Sequence, residues 1–193
     1  MCKRIEICGG IAAGKTSLAK VLEEEGIVAI YERMEDNPFL QDFYMRSDVD
    51  NTFETEVTCT LLHYNWIKSN LCNKYIVCDY SIFQDFCYGI NNLSKKDLKI
   101  YKELYDYVLS KVSSADLTIY LRCDVDCLLE RIKIRGREME QTISKEYLKS
   151  NIAVIEKKLA EQPNVLIIES DKYNFIKQDR KYIVEKIMKH FKG

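Results

Sequence analysis

The sequence predicts an α/β fold in which a five-stranded parallel sheet is covered by helices on both faces, making three layers. Three observations lead there. Short β-branched or apolar runs alternate with longer helical patterns, as in successive strand–helix units. The strand candidates read as apolar throughout rather than at every second position, as expected when both faces are buried. With 193 residues, two prolines and seven glycines, no linker or repeat divides the chain, so a single domain over residues 1–193 is expected.

The elements follow in order. Strands are expected at "RIEIC" (4–8), "IVAIY" (27–31), "YIVCD" (75–79), "LTIYL" (117–121) and "NVLIIE" (164–169). Helices are expected near 15–25, 51–71, 95–112, 124–135, 145–161 and 176–191. In the second of these, Phe53, Val57, Leu61 and Tyr64 recur at helical spacing and form the expected apolar stripe. Glu56, Thr60 and His63 share one flank of that helix, where they either line a cavity or face solvent. Gly136 offers a stop after the helix near 124–135. Ligands of such sheets bind beyond the carboxyl ends of the strands, so functional residues should follow Cys8, Tyr31, Val77 and Leu121.

Composition excludes several classes. A formal net charge of -1 without a basic block argues against a nucleic-acid partner. No apolar run approaches the ~20 residues of a membrane span, and the N-terminus lacks a signal-peptide core, so no membrane association and a cytoplasmic location are expected. The eight cysteines include no C-x-x-C pair, and Cys8, Cys78 and Cys123 lie in or beside strand-like runs as small buried hydrophobes. Neither a zinc site nor a disulfide framework is expected.

"GGIAAGKT" fits G-x-x-x-x-G-K-[ST] between a strand and a helix. A chance match in a chain of this length is about a 1% event. Gly9, Gly10, Ile11, Ala12, Ala13, Gly14, Lys15, Thr16 and Ser17 are therefore read as a phosphate cradle, whose backbone N–H groups and helix N-terminus face the anion. Lys15 is expected to reach the β- and γ-phosphates and Thr16 to ligate Mg²⁺. The fold expectation becomes that of a P-loop NTPase-type protein binding ATP and Mg²⁺.

The acceptor must be read elsewhere. Glu32 stands one residue beyond the second strand, where it either serves as general base for a hydroxyl attacking the γ-phosphate or is a surface acid. Asp79 ends the third strand, where an acid can support Mg²⁺. Arg131, Lys133, Arg135 and Arg137 fall within seven residues and precede Glu138 and Glu140, which suggests an arginine-rich lid. Arg131 and Arg135 are i,i+4 neighbours, and lid arginines that neutralise a transferring phosphoryl contribute about 10³–10⁵ in rate. Cations favouring the helix dipole would account for one or two of them.

Across nearly its whole length the chain resembles the deoxynucleoside kinase family, particularly its short bacterial purine-deoxynucleoside members. The likeness rests on "GGIAAGKTS", "YERMEDNPFLQDFY", "FETEVTCTLLH", "CDYSIFQD", "RIKIRGREMEQTISKEYL" and "ESDKYNF". It implies ATP–Mg²⁺ as donor, a nucleoside 5′-hydroxyl as acceptor and a homodimer built from helices. It also implies Glu32 as catalytic base, with Lys15, Arg131 and Arg135 in the transfer step. Tyr44 and Glu140 would hold the sugar 3′-hydroxyl and Asp85 would lie near the nucleobase. Arg131, Arg135 and Arg137 match the lid, and Asp171 and Tyr173 lie in the segment that resembles the loop around the donor adenine.

Three departures from the family pattern matter. Where the family has an arginine beside the catalytic carboxylate, this chain has Tyr80, and Arg33 or Arg46 is the expected replacement for its charge. On the base-reading helix, Glu56 and His63 replace the usual glutamine and arginine. An ionised Glu56 only accepts hydrogen bonds and would suit the paired N1–H and 2-amino donors of guanine, whereas adenine and cytosine need it protonated. The changed acceptor side leaves open a nucleotide-binding subunit or sensor without transfer. A nucleoside monophosphate kinase is the other alternative.

Overall fold

Five strands form one parallel sheet: β1 (Lys3–Gly9), β2 (Val28–Ile30), β3 (Tyr75–Cys78), β4 (Leu117–Arg122) and β5 (Val165–Glu169), ordered β2-β3-β1-β4-β5. The structure, a computed structural model, describes residues 2–46 and 48–192. Each expected strand is present to within one residue at either end. β1 pairs with β3 on one side, Glu6 opposite Cys78, and with β4 on the other, Gly9 opposite Leu121. The strand order therefore reverses at β1, and a crevice opens beyond its carboxyl end.

The helices are α1 (Lys15–Glu24), α2 (Leu40–Met45), α3 (Thr52–Asn70), α4 (Ile82–Asn92), α5 (Lys95–Val112), α6 (Val125–Arg135), α7 (Lys145–Leu159) and α8 (Arg180–Lys192). Six were expected, although α8 starts at 180 instead of 176. Local caps explain several boundaries. The Ser94, Asp124 and Ser144 side chains accept backbone N–H groups at the starts of α5, α6 and α7, and Gly136 closes α6 with φ 68°.

α2 and α4 were not expected. The start of α4 lacks a cap from its own sequence. The cap comes from β1, where one Glu6 carboxylate oxygen accepts both the Ile82 N–H and the Ser81 hydroxyl at 3.0 Å. That partner is 76 residues away in the chain, so no local signal could announce it.

Side-chain alternation along β1 sorts the layers. Ile5 and Ile7 join the larger core with Leu18 and Leu22 of α1 and Ile183 and Ile187 of α8. Cys8 points the other way, against Phe83 and Cys87 of α4 and Ile155 of α7. Beside it, Trp66 and Ile67 of α3 pack with Tyr105 and Val108 of α5.

The wholly apolar reading of β1 needs correcting. Arg4 and Glu6 share the Cys8 face and are both buried, at 3% and 2% exposure. They form an ion pair at 2.8 Å, and the Arg4 guanidinium also donates to the Val112 and Ser113 carbonyls that end α5. The pair ties α4 and α5 to the central strand, with its hydrogen-bonding capacity spent on backbone groups. Removing one member leaves the other buried and uncompensated, which costs about 3–5 kcal/mol. Glu6→Ala is accordingly expected to lower the unfolding free energy by about that amount in urea titrations. Thr118→Ser, on the same side of the sheet, is expected to cost less than half as much.

Candidate active site

The cradle forms because three residues from the end of β1 onward adopt positive φ: Gly9 at 149°, Ala12 at 65° and Gly14 at 101°. A Cβ on Gly9 would meet the Leu121 carbonyl at 2.7 Å, so only glycine lets the turn lie against β4. The Gly9 N–H donates to Gln84 of α4 at 2.7 Å, and Ala13 N–H donates to the Gly10 carbonyl at 3.0 Å. Lys15 curls back over the loop, its Nζ 3.2 Å from the Gly9 carbonyl. Burial lowers the pKa of Lys15, against the opposing charges of Glu32 and Asp79.

Asp79 joins the tips of β3 and β2 to the start of α1. One oxygen accepts the Thr16 hydroxyl at 2.7 Å and the other accepts the Glu32 backbone N–H at 2.6 Å. Its pKa is raised by burial, against those two hydrogen bonds. Glu32 thereby faces the cradle across a cleft of about 360 Å³, which both Lys15 and Thr16 also line. Burial acts to raise the Glu32 pKa but is outweighed by His63, Lys15 and Arg137, so the carboxyl stays below its ordinary value.

His63 is buried between two acids, Nδ1 at 2.8 Å from Asp85 and Nε2 at 3.5 Å from Glu32. Burial disfavours its charge. The Asp85 and Glu32 carboxylates prevail, and its pKa is pushed up to about 10. The ring stacks on Tyr80 at 4.0 Å with an interplanar angle of 11°.

Deeper in the cleft, Glu56 is 4% exposed and accepts the Asn92 amide at 2.7 Å. The same amide lies 3.1 Å from the Tyr147 hydroxyl. Burial and the nearby Asp85 raise the Glu56 pKa to about 8, despite the Asn92 hydrogen bond. Tyr44 lines the same cleft and meets Tyr147 edge to face.

The lid closes the cleft from α6 and the short 3₁₀ turn Glu138–Glu140. Glu140 is buried, paired with Arg135 and, at 3.2 Å, with Arg137. Arg137 also reaches Met34 beyond β2. Arg131 donates to the Ser170 carbonyl at 2.7 Å and approaches the Ala13 carbonyl at 3.4 Å, linking the cradle to the loop after β5. Asp171 and Tyr173 line a second cleft of about 480 Å³ beside Gly14, Ser17 and Arg131. The two clefts meet along the cradle.

Two sequence expectations fail. The stripe Phe53, Val57, Leu61 and Tyr64 is not the buried face of α3, and Leu61 is 42% exposed. The buried face carries Thr55, Glu56, Thr60, His63, Trp66 and Ile67, because its polar groups find partners: Thr60 bonds the Tyr101 hydroxyl at 2.6 Å. Neither Arg33 nor Arg46 lines the cleft. Arg33 pairs with Asp36 and lies over the outer face of Trp66, and Arg46 pairs with Asp42 and Asp48. His63 pairs with Glu32 instead. Sequence reasoning also missed Gln84, Asn92 and Tyr147. The stretches "CDYSIFQD" and "SKEYL" pointed towards Gln84 and Tyr147, but nothing local marks Asn92. All eight cysteines are free, and no helix is long and apolar enough to cross a membrane among the described residues.

Comparison with known proteins gives a consistent result. A sequence model of the deoxynucleoside kinase family matches residues 5–192. The deoxyguanosine kinase of Bacillus subtilis is 30% identical, with 97% of this chain and 95% of that protein aligned. The deoxyadenosine kinase of Lactobacillus acidophilus is 31% identical over 79% of this chain and 76% of its own length. Among solved structures, the deoxyadenosine kinase from M. mycoides with bound dCTP superposes with a TM-score of 0.73 at 25% identity, covering 96% of this chain and 97% of that one. A phosphate cradle facing a carboxylate across one cleft, within a match over almost the entire length, places this chain in the deoxynucleoside kinase family, whose members are phosphotransferases.

Proposed function

We propose that this protein transfers the γ-phosphate of ATP to the 5′-hydroxyl of a purine deoxynucleoside, with Glu32 as general base. One observation carries the reading: Glu32 and Lys15 line the same cleft, and Asp79 ties the backbone of one to the helix that bears the other. The names of the relatives, deoxyguanosine and deoxyadenosine kinases, support the acceptor class.

Phosphoryl transfer asks for positioning and charge neutralisation more than covalent chemistry. The cradle and Lys15 hold the triphosphate, and the second cleft, with Asp171 and Tyr173, takes its adenine. As the 5′-oxygen bonds to the γ-phosphorus and the bond to ADP breaks, Glu32 accepts the hydroxyl proton. Its lowered pKa keeps it ionised for this role at neutral pH. Arg131, Arg135 and Arg137 neutralise the transferring group. Tyr44 and Glu140 hold the sugar 3′-hydroxyl, while Glu56 and Asp85 line the base end. The Thr16 and Asp79 oxygens, 2.7 Å apart at the start of α1, are a hard-donor pair suited to Mg²⁺, which when bound neutralises phosphate charge. A homodimer is part of the proposal. The half-exposed stripe of α3 supports it, as do Ile100 and Tyr107 on the neighbouring α5, which are 52% and 53% exposed.

ADP formation that depends on an added purine deoxynucleoside, and not on its monophosphate, tests the reading. Glu32→Gln keeps the shape and removes the base, and is expected to lower kcat about 10²–10⁴-fold with little change in KM for ATP. Arg33→Ala should stay within about threefold of the parent rate, since that side chain lies outside the cleft.

The Glu56 carboxyl makes base preference depend on pH. Below about 8 the protonated acid donates and accepts, and so suits adenine or the O6/N1–H edge of guanine. Above it, the carboxylate only accepts, which suits guanine alone. The kcat/KM ratio of deoxyguanosine to deoxyadenosine is therefore expected to rise between pH 7 and pH 9 in direct competition. The rise should vanish in Glu56→Gln.

A further inference from the structure

Glu32 follows the end of β2 in irregular backbone, and its backbone N–H is held by Asp79. Its side chain is still 31% exposed and has several rotamers to choose from. Among the described residues, His63 is the one ion-pair partner of that carboxylate.

His63, in contrast, is fixed on three sides. Asp85 of α4 holds Nδ1 at 2.8 Å. The Tyr80 ring lies parallel beneath it at 4.0 Å, and Trp66 stands 5.6 Å away at a tilt. Tyr80 is buried, and its ring gives the imidazole a flat surface to lie on. Outside the stack, the Arg33 guanidinium covers Trp66 at 5.1 Å, leaving the imidazole as the innermost cation of the group.

We propose that His63 is a positioning residue for phosphoryl transfer: clamped between Asp85 and the Tyr80 ring, it holds one Glu32 oxygen so that the other is presented to the acceptor hydroxyl. The inference rests on the general-base reading of Glu32 and extends it. A base must sit within hydrogen-bond reach of the proton it takes, and a rigid second group removes the rotamer freedom that would carry it away. The order of the chain makes the arrangement economical. α3 supplies the imidazole, α4 the orienting carboxylate and the tip of β3 the stacking ring, so three elements converge on a single carboxylate from a fourth. Because Asp85 also lines the nucleoside cleft, one clamp serves the base end and the sugar end together.

A double-mutant cycle with His63→Gln and Glu32→Gln tests this, measured as kcat for deoxyguanosine or deoxyadenosine with saturating ATP. If His63 acts through Glu32, His63→Gln lowers kcat by about 10²-fold, the scale of a misplaced catalytic group, and leaves KM for ATP unchanged. In the Glu32→Gln background the same change then costs no further rate. A kcat within threefold of the parent, or losses that multiply in the double variant, overturns the proposal. His63→Gln leaves Asp85 buried without its partner, so His63→Gln/Asp85→Asn serves as the folded counterpart should the single variant fail to fold. It is expected to show the same loss of kcat, and a parental kcat there is equally fatal. Failure of the underlying reading looks different: the parent protein would then form no ADP in response to nucleoside, or Glu32→Gln would be fully active.

Discussion

Much of the site hangs on the carboxylate of Asp79. Parallel pairing of β1 with β3 brings the third strand's tip beside the phosphate cradle, and Asp79 then accepts a hydroxyl from α1 with one oxygen and a backbone N–H from beyond β2 with the other. Each hydrogen bond to an ionised acceptor is among the stronger kinds. Together they set the distance between the loop after β1 and Glu32. Strand order is thus the first determinant of the chemistry. Had β1 and β3 not been neighbours, the same residues would lie on separate tips of the sheet.

A second theme is polar burial inside the core. Glu6, Arg4, Glu56, Thr60, His63, Asp85 and Glu140 are all buried, and each finds a charged or hydrogen-bonding partner. Such groups are costly unless satisfied, and here they are satisfied in separate places, with Glu140 held by Arg135 and Arg137. The Arg4–Glu6 pair fixes the start of α4 and the end of α5 around β1, Glu56, His63 and Asp85 line the cleft, and Thr60 bonds Tyr101 of α5. The division explains why α3 turns its polar flank inward. Glu56 and His63 face the cleft and Thr60 faces α5, while Leu61 of the apolar stripe is left exposed.

The acceptor side shows how one substitution can be met by another far away in sequence. Tyr80 removes the cation that the family resemblance led one to expect after β3. The structure restores a positive group beside Glu32 through His63, seventeen residues earlier and on a different element, while Tyr80 becomes the surface on which that ring rests. A neighbour in sequence, Arg33, stays outside the stack against Trp66 and Asp36. Proximity along the chain is a poor guide to which charge lies at a site: beyond β2, Arg33 is held outside by Asp36 and Trp66 while Glu32 lines the cleft.

The sequence alone determined the parallel sheet, the five strands to within a residue, the cradle and the acids at the tips of the second and third strands. These depend on local pattern: apolar runs, helical spacing, and glycines where the backbone must turn left-handed. It also carried the lid, since Gly136 ends α6 by its own conformation and leaves Arg137 on the following turn. What only the tertiary structure decided depends on partners far apart in the chain. Helix α4 is capped by Glu6 from β1, Asn92 is brought to Glu56, and the buried face of α3 is chosen by hydrogen bonds that hydropathy does not see. Periodicity ranks faces by transfer from water, whereas a satisfied polar group follows its partner. The partner's position is a property of the folded chain.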